Sequence, residues 1–325
     1  MDEEALTALA FGSDAGSAAP IPRDGSPRQC LLAAIVLGAR GRYAAAAALL
    51  DPLRRGRDPL TASLAASTLA SHRRQLGGHV AARKLDGEAL LAVALGGAGE
   101  RGAGDAPGLA GGLAATDSPT RSPLPATASP NASSVSRDSP GSAPTEDPNG
   151  LDRQGARADA LLGLAADNLA LSRISAARRL AVRAAQTDRR WRATVRGGWV
   201  GAEIELADGQ PEAAVAPARL AYETAVARHA QRHVVKSAIV LGVALLAARK
   251  SGARELVLAA AEDAEKCELD SLNWVAARVA ADLEPDRAEE YRFRSRQVLH
   301  AVLRHADPCV MRIAHESPWV PVGPG

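Results

Sequence analysis

Ala34…Leu37-Gly38-Ala39-Arg40-Gly41-Arg42-Tyr43-Ala44-Ala45-Ala46…Leu50 is the stretch that decides the fold. Small and apolar residues lead into Gly41, an aromatic follows it, and Ala recurs three residues later. Ala and Leu are strong helix formers, and a glycine supplies the left-handed conformation that ends a helix. The stretch therefore reads as two helices joined by a tight turn, with small residues that let the two approach closely.

Outward from this hairpin the plan repeats. Helix starts are marked by a polar residue followed by proline at Ser26-Pro27, Asp58-Pro59, Gln210-Pro211 and Glu284-Pro285. Proline suits the first helical position, where its missing N–H would have no partner. Stops appear at Gly41, Gly56, Gly77-Gly78, Gly209 and Gly252. Apolar residues recur at three and four, as in Val234, Ala238, Leu241 and Leu245, and no convincing period-2 run occurs. The expected helices pair as 28–40 with 42–55, 59–75 with 79–95, 152–171 with 175–187, 189–207 with 211–230, 232–249 with 253–267, and 269–282 with 285–305. Turns within successive pairs recur every 36 to 42 residues wherever they are adjacent in sequence, the period of a helical-hairpin solenoid. The expected fold class is all-α, with a long disordered insert.

Composition agrees. The chain has 325 residues, of which 46% are hydrophobic but only 3% aromatic. That argues against a β-sandwich or barrel. Only four of the 39 basic residues are Lys, and this Arg and Ala bias resembles proteins of GC-rich, actinobacterial-type genomes. Residues 96–150 break the pattern: 30 of these 55 are Gly, Pro, Ser or Thr. Such a segment buries too little surface to offset its chain entropy, so it is expected to be a disordered linker. It carries Ser118-Pro119, Ser122-Pro123, Ser129-Pro130 and Ser139-Pro140, which could accept phosphate. Residues 1–25 are expected to be mostly disordered, apart from a short helix near Glu4–Phe11. The Pro-rich tail at 306–325, around Trp319, is expected to cap the last helix.

Three dispersed cysteines, Cys30, Cys267 and Cys309, form no C-x-x-C pair and suit a reducing compartment. Met1-Asp2-Glu3-Glu4 is acidic where a secretory signal needs basic residues, and the longest uncharged apolar run, Ala238–Ala248, is far too short to span a membrane. A cytoplasmic location is expected.

The hairpins resemble tetratricopeptide repeats. Ala34 to Leu50 carries the clearest likeness. Ala165…Ser172-Arg173-Ile174-Ser175-Ala176-Ala177…Ala181 and Ala202…Asp208-Gly209-Gln210-Pro211-Glu212-Ala213-Ala214…Ala218 repeat it. Tryptophan is missing from the usual first-helix position, and the later proline is mostly absent. The resemblance implies a concave surface lined by the first helix of each pair, used to hold a protein or peptide segment. Asn168 and Asn273 fall on first helices, but the Lys that accompanies such Asn in the family's carboxylate-binding groove is missing, so that specificity is not carried over.

Local chemistry is sparse. Gly97-Ala98-Gly99-Glu100-Arg101-Gly102 matches G-x-G-x-x-G, but a helical pattern precedes it where a dinucleotide site needs a strand. His229 and His233, four apart, could share a helix face and bind a metal, but no Glu or third ligand accompanies them. Glu203 and Glu205 are two apart, so on a helix they face away from each other. No nucleophile elbow, P-loop or H-E-x-x-H occurs; no catalysis, cofactor or metal is expected. The strongest local signal is charge. Residues 173–196 hold eight Arg and one acid, with Trp191 and Trp199 interleaved, while residues 255–290 hold eleven acids and three bases. The Arg block could pair internally with that acidic stretch, take an acidic protein partner, or contact phosphates of a nucleic acid while tryptophans stack on bases. The expected function is a non-catalytic scaffold or adaptor that binds a protein segment, with Asn168, Arg192, Arg196 and Trp199 near the binding surface. A nucleic-acid-linked regulator using the Arg block is the alternative.

Overall fold

The computed structural model describes residues 1–101, 146–318, 320 and 321; among them are fourteen α-helices and no strand. A short α1 (Glu3–Phe11) is followed by six hairpins. These are α2 (Pro27–Ala39) with α3 (Tyr43–Arg54), α4 (Pro59–Gln75) with α5 (His79–Arg101), and α6 (Arg153–Ala170) with α7 (Ile174–Thr187). The second half has α8 (Trp191–Ala207) with α9 (Pro211–Ala227), α10 (Gln231–Ala247) with α11 (Ala253–Lys266), and α12 (Asp270–Leu283) with α13 (Ala288–Arg304). A final helix, α14 (Pro308–Glu316), follows. The all-α helical-repeat solenoid and the pairing expected from the sequence are both present.

The starts work as the sequence implies. Ser26 and Gln29 form a reciprocal capping box around Pro27, and the Asp58 carboxylate accepts from the first-turn amides of Leu60 and Thr61. Glu284-Pro285 differs: Pro285–Arg287 forms a single 3-10 turn before α13 begins at Ala288.

The stops share one backbone device. Gly41, Gly77, Ser172, Gly209, His229, Arg249 and Glu268 all have φ between 50° and 78°. At each, the residue's own N–H reaches back three positions and the next N–H reaches back five, as in Gly41 to Gly38 and Arg42 to Leu37. This is the Schellman stop, which satisfies the last carbonyls of a helix. At Gly41 the glycine is needed twice over, because a Cβ there would lie 2.6 Å from Cγ2 of Val302.

The first helices of the six hairpins form an inner ring. α2 touches α4, α4 touches α6, and so on through α8, α10 and α12, and α12 touches α2 again. The solenoid therefore makes one turn and its ends meet. On the outside, the Ala44 amide donates to the His305 carbonyl at 2.8 Å, and Tyr43, Leu76, Trp274, Leu299, Val302 and Val310 share one apolar cluster. α14 packs over the α4–α5 turn, where Asp307 pairs with Arg73 at 3.1 Å. The tail thus covers the closure rather than a free last helix. Trp319 and residues 322–325 lie outside the described residues.

Two expectations need correction. Residues 1–25 were expected to be mostly disordered, but α1 buries Leu6, Leu9, Ala10 and Phe11 among α2, α8 and α10. Gly12 accepts from the Gln231 amide at 3.0 Å, and Gly16 packs on Cys267. The inner ring offers α1 an apolar interior that its own composition does not reveal. The linker expected over 96–150 is also shorter at both ends. α5 continues to Arg101, and Asp147–Gly150 form a turn held by Arg28, Arg190 and Arg192. The linker core, residues 102–145 with its four Ser-Pro sites, lies outside the described residues.

The left-handed stops yield a stability prediction. Arg249→Gly and Glu268→Gly should each stabilise the chain by about 0.5–1 kcal/mol, because a side chain is penalised at positive φ and glycine is not. Gly41→Ala should destabilise by about 1–3 kcal/mol through strain and contact with Val302. Equilibrium denaturant unfolding reads both signs.

Candidate functional site

The inner ring encloses a cavity of about 540 Å³ on its axis. α4 supplies Ser71, His72 and Arg74; α6 supplies Asp159; α8 supplies Arg192, Arg196, Trp199 and Glu203; α10 supplies Arg232, His233 and Lys236; Phe11 of α1 completes one wall. Five cations therefore converge on a space lined by two acids.

Three of those cations each form an ion pair with a buried carboxylate. Asp159 accepts from Arg192 at 2.7 Å and also pairs with Arg196. Arg74 bridges Asp86 and Asp167, its Nε lying 2.9 Å from Asp167, and Ser67 donates to Asp86 at 2.9 Å. Burial pushes the Asp86 carboxyl upward and Asp167 adds to that, while Arg74 pulls it back. Gly163 on α6 leaves room for this group, since a Cβ there would collide with the Asp86 carboxylate.

Arg232 and Lys236 are different. They lie one turn apart on α10, line the cavity, and have no ion pair among the described residues. Burial lowers Arg232 to about 10, opposed by Tyr43 and aided by Arg196 and Arg192. Burial also lowers Lys236 to about 8, aided by Arg232, Arg196 and Arg74 and opposed by Glu203. The Lys236 ammonium sits 4.3 Å from the centre of the Trp199 ring, a cation–π contact. Trp199 also stacks on His233, with ring centres 5.6 Å apart, and its indole N–H donates to Ser237 at 2.8 Å. Burial, reinforced by the surrounding arginines, holds His233 well below its usual range and His72 at about 3, so both imidazoles are neutral. Each has a buried Nδ1 without a partner.

Of the residues expected at the binding surface, the structure brings Arg192, Arg196 and Trp199 together on the cavity wall. Arg192 is also tied to the carbonyls of Asn149 and Gly150, at 2.5 and 3.1 Å. Asn168 is not on that wall. It is buried, and its side-chain amide donates to the Leu164 carbonyl of its own helix. His229 and His233 do not share a face: His229 is exposed in the turn, and His233 is inside the ring. Glu203 faces the cavity while Glu205 pairs with Arg178, as their spacing requires. Among the described residues no group of three or more His, Cys, Asp or Glu is placed to hold a metal. The G-x-G-x-x-G backbone is helical as far as Arg101; Gly102 lies outside the described residues. The cysteines are free, and no helix among the described residues is long and apolar enough to cross a membrane.

The Arg block splits by helix face. Arg190 pairs with Asp152 and Asp188, Arg178 with Glu205 and Asp208, and Arg192 and Arg196 with Asp159. No ion pair among the described residues joins it to 255–290, whose acids pair with Arg254, Arg287, Arg292, Arg294 and Lys266. Arg173, Arg179, Arg183 and Arg189 remain exposed on the outside.

Arg232, Lys236, Arg74 and Asp159 are site residues that local sequence reading missed. One signal was available: Arg232 and Lys236 stand 40 residues after Arg192 and Arg196, at the same separation as the turn residues Gly209 and Arg249. In the hairpin before, the position equivalent to Arg196 is Asp159, because the turns at Ser172 and Gly209 are 37 apart. A comparison of the chain with protein-family models finds no match, and neither does a comparison with curated proteins.

The two kinds of cation predict opposite mutational signs. Asp159→Ala should cost about 3–5 kcal/mol, because it leaves two buried guanidiniums uncompensated. Lys236→Met should stabilise at neutral pH, because it removes a cation that burial disfavours. Lys236 has a folded pKa below its unfolded one, so the unfolded chain binds more protons between about pH 8 and 10.5. Wild-type stability therefore gains relative to Lys236→Met as pH rises through that window. Denaturation curves of both proteins at pH 7 and 10 check the sign.

Proposed function

We propose that this chain is a non-catalytic, tetratricopeptide-like binding protein of the cytoplasm whose axial cavity holds an acidic segment of a partner protein. The observation that carries this reading is the pair of cations without an ion pair among the described residues, Arg232 and Lys236, on the wall of a cavity whose other cations are ion-paired. Buried charge is costly unless paired, and an anionic ligand side chain would complete the pairing. Trp199, His233 and Phe11 add apolar surface beside the cations, enough to hold a side chain next to its charged group. The arrangement suits anions, because its neutral histidines are buried beside arginines.

The nucleic-acid alternative rests on Arg173, Arg179, Arg183 and Arg189, exposed and without an ion pair among the described residues. Trp191 and Trp199 point into the ring and are buried, at 7% and 9% exposure, so they cannot stack on bases from outside. That removes half of the alternative's original support.

A fluorescent twelve-residue peptide rich in Asp and Glu should bind the full-length protein saturably, with affinity falling as salt rises. Arg232→Met and Lys236→Met should weaken binding at least tenfold, while Arg179→Ser with Arg183→Ser leaves it unchanged. Absence of saturable peptide binding overturns the reading. Retention on DNA at low salt that is lost with the Arg179 and Arg183 substitutions favours the alternative. Fluorescence anisotropy measures both.

A further inference from the structure

The charges on the ring axis point to a more specific ligand, resting on the reading just proposed. We propose that Arg232 and Lys236 clamp the dianion of a phosphate monoester in the axial cavity, so that the acidic partner segment is a phosphorylated one.

Three observations support this. The first is count. Arg192 and Arg196 share a single acid, Asp159, which leaves one positive charge; Arg232 and Lys236 against Glu203 leave another. Arg74 is engaged separately by Asp86 and Asp167. The four cations of α8 and α10 thus exceed the two acids that line the cavity with them by two charges, which one carboxylate leaves half satisfied and one phosphate monoester dianion satisfies in full. The second is spacing. Residues four apart on a helix have side chains about 5–6 Å apart at their bases, so the guanidinium and the ammonium can close on one tetrahedral group from two sides. The third is enclosure. The cavity's volume of about 540 Å³ suits one side chain and its charged head better than a long folded element. His72 and His233, each only 4% exposed and neutral, add no negative charge to the wall, and each leaves an imidazole nitrogen without a partner there.

The proposal has a pH signature. The second ionisation of a phosphate monoester lies near pH 6, so binding should strengthen up to roughly pH 7. It should then weaken as Lys236 loses its proton above about pH 8. Lys236 faces Glu203 and Arg196 of α8, Arg74 of α4, and Arg232 of its own helix; of these only Glu203 favours its charge, so a bound dianion should raise its proton affinity. Binding at pH 8 should therefore take up protons.

Calorimetric titration of the full-length protein tests this with inorganic phosphate, O-phospho-L-serine, N-acetyl-L-glutamate and an eight-residue phosphoserine peptide, at constant ionic strength. Phosphate monoesters should bind at least tenfold more tightly than N-acetylglutamate. Arg232→Met and Lys236→Met should each lose at least tenfold. Lys236→Arg should keep the affinity and extend it unchanged to pH 9, a readout that a purely structural lysine would not give. Were a Met variant to misfold, the Lys236→Arg pH profile still decides. Tighter binding of the phosphopeptide than of free phosphoserine identifies a protein segment. The reverse order keeps the phosphate clamp and assigns it to a small phosphorylated molecule, which overturns the protein-segment reading alone. Equal or tighter binding of N-acetylglutamate, or binding of the unphosphorylated acidic peptide with none of phosphate, overturns the clamp and leaves the acidic-segment reading standing. If neither phosphate nor acidic peptide binds, both readings fall.

Discussion

Six helices share one axis, and every side chain that faces it competes for the same few hundred cubic ångströms. That constraint organises the rest of the protein. Inner helices must approach closely, so Gly38 lies against the His72 ring and Gly163 against the Asp86 carboxylate, where any side chain would collide. A polar group buried between the inner helices must find a partner in the ring. Hence Ser67 meets Asp86, Trp199 meets Ser237, and Asp159 serves two arginines. An open solenoid leaves two ends that need covers. Here α2 and α12 touch, and α14 and the α3 side of the first hairpin seal the seam from outside.

The hairpins were legible because their causes are local. A proline after a capping residue, a stripe at three and four, and a glycine after the last turn are each read within a few positions. Local rules also explain what was missed. Ser172, His229, Arg249 and Glu268 adopt the same left-handed stop as Gly41 without being glycine, so glycine-spotting finds only part of the series. Ring closure depends on residues more than 200 apart, such as Ala44 with His305, and no window of sequence reports it. α1 shows the same limit. Its short helix is visible in Leu6, Leu9 and Phe11, but its burial is set by α2, α8 and α10, which arrive later in the chain.

The charge pattern needed three dimensions for a similar reason. A run of eight arginines reads as one patch only if the chain is a line. On two helices and a turn it divides, with Arg192 and Arg196 inward, Arg178 and Arg190 clamped to local acids, and Arg179 and Arg183 outward. Arg232 and Lys236 lie in no such run. They stand out only after the carboxylates have been assigned, because a cation attracts notice in a ring when its neighbours are already spoken for.

An unpaired cation in a crowded interior opposes folding, and a methionine of similar length would not. The ring holds two of them one turn apart, and it does so in the hairpin directly following one where the same two positions are ion-paired to Asp159. Asp159 shows that this framework can place a carboxylate opposite such a pair at the preceding repeat. The geometry of the ring therefore does not forbid a counter-charge for Arg232 and Lys236, and the proposed ligand would supply it from outside the chain. Water alone could soften the cost, but a space with Trp199, Phe11 and two neutral histidines in its walls solvates a cation poorly. The interaction that would settle the axis electrostatically is the one the folded chain lacks by itself. In that sense the site proposed for a ligand and the unpaired charge of the interior are the same set of atoms.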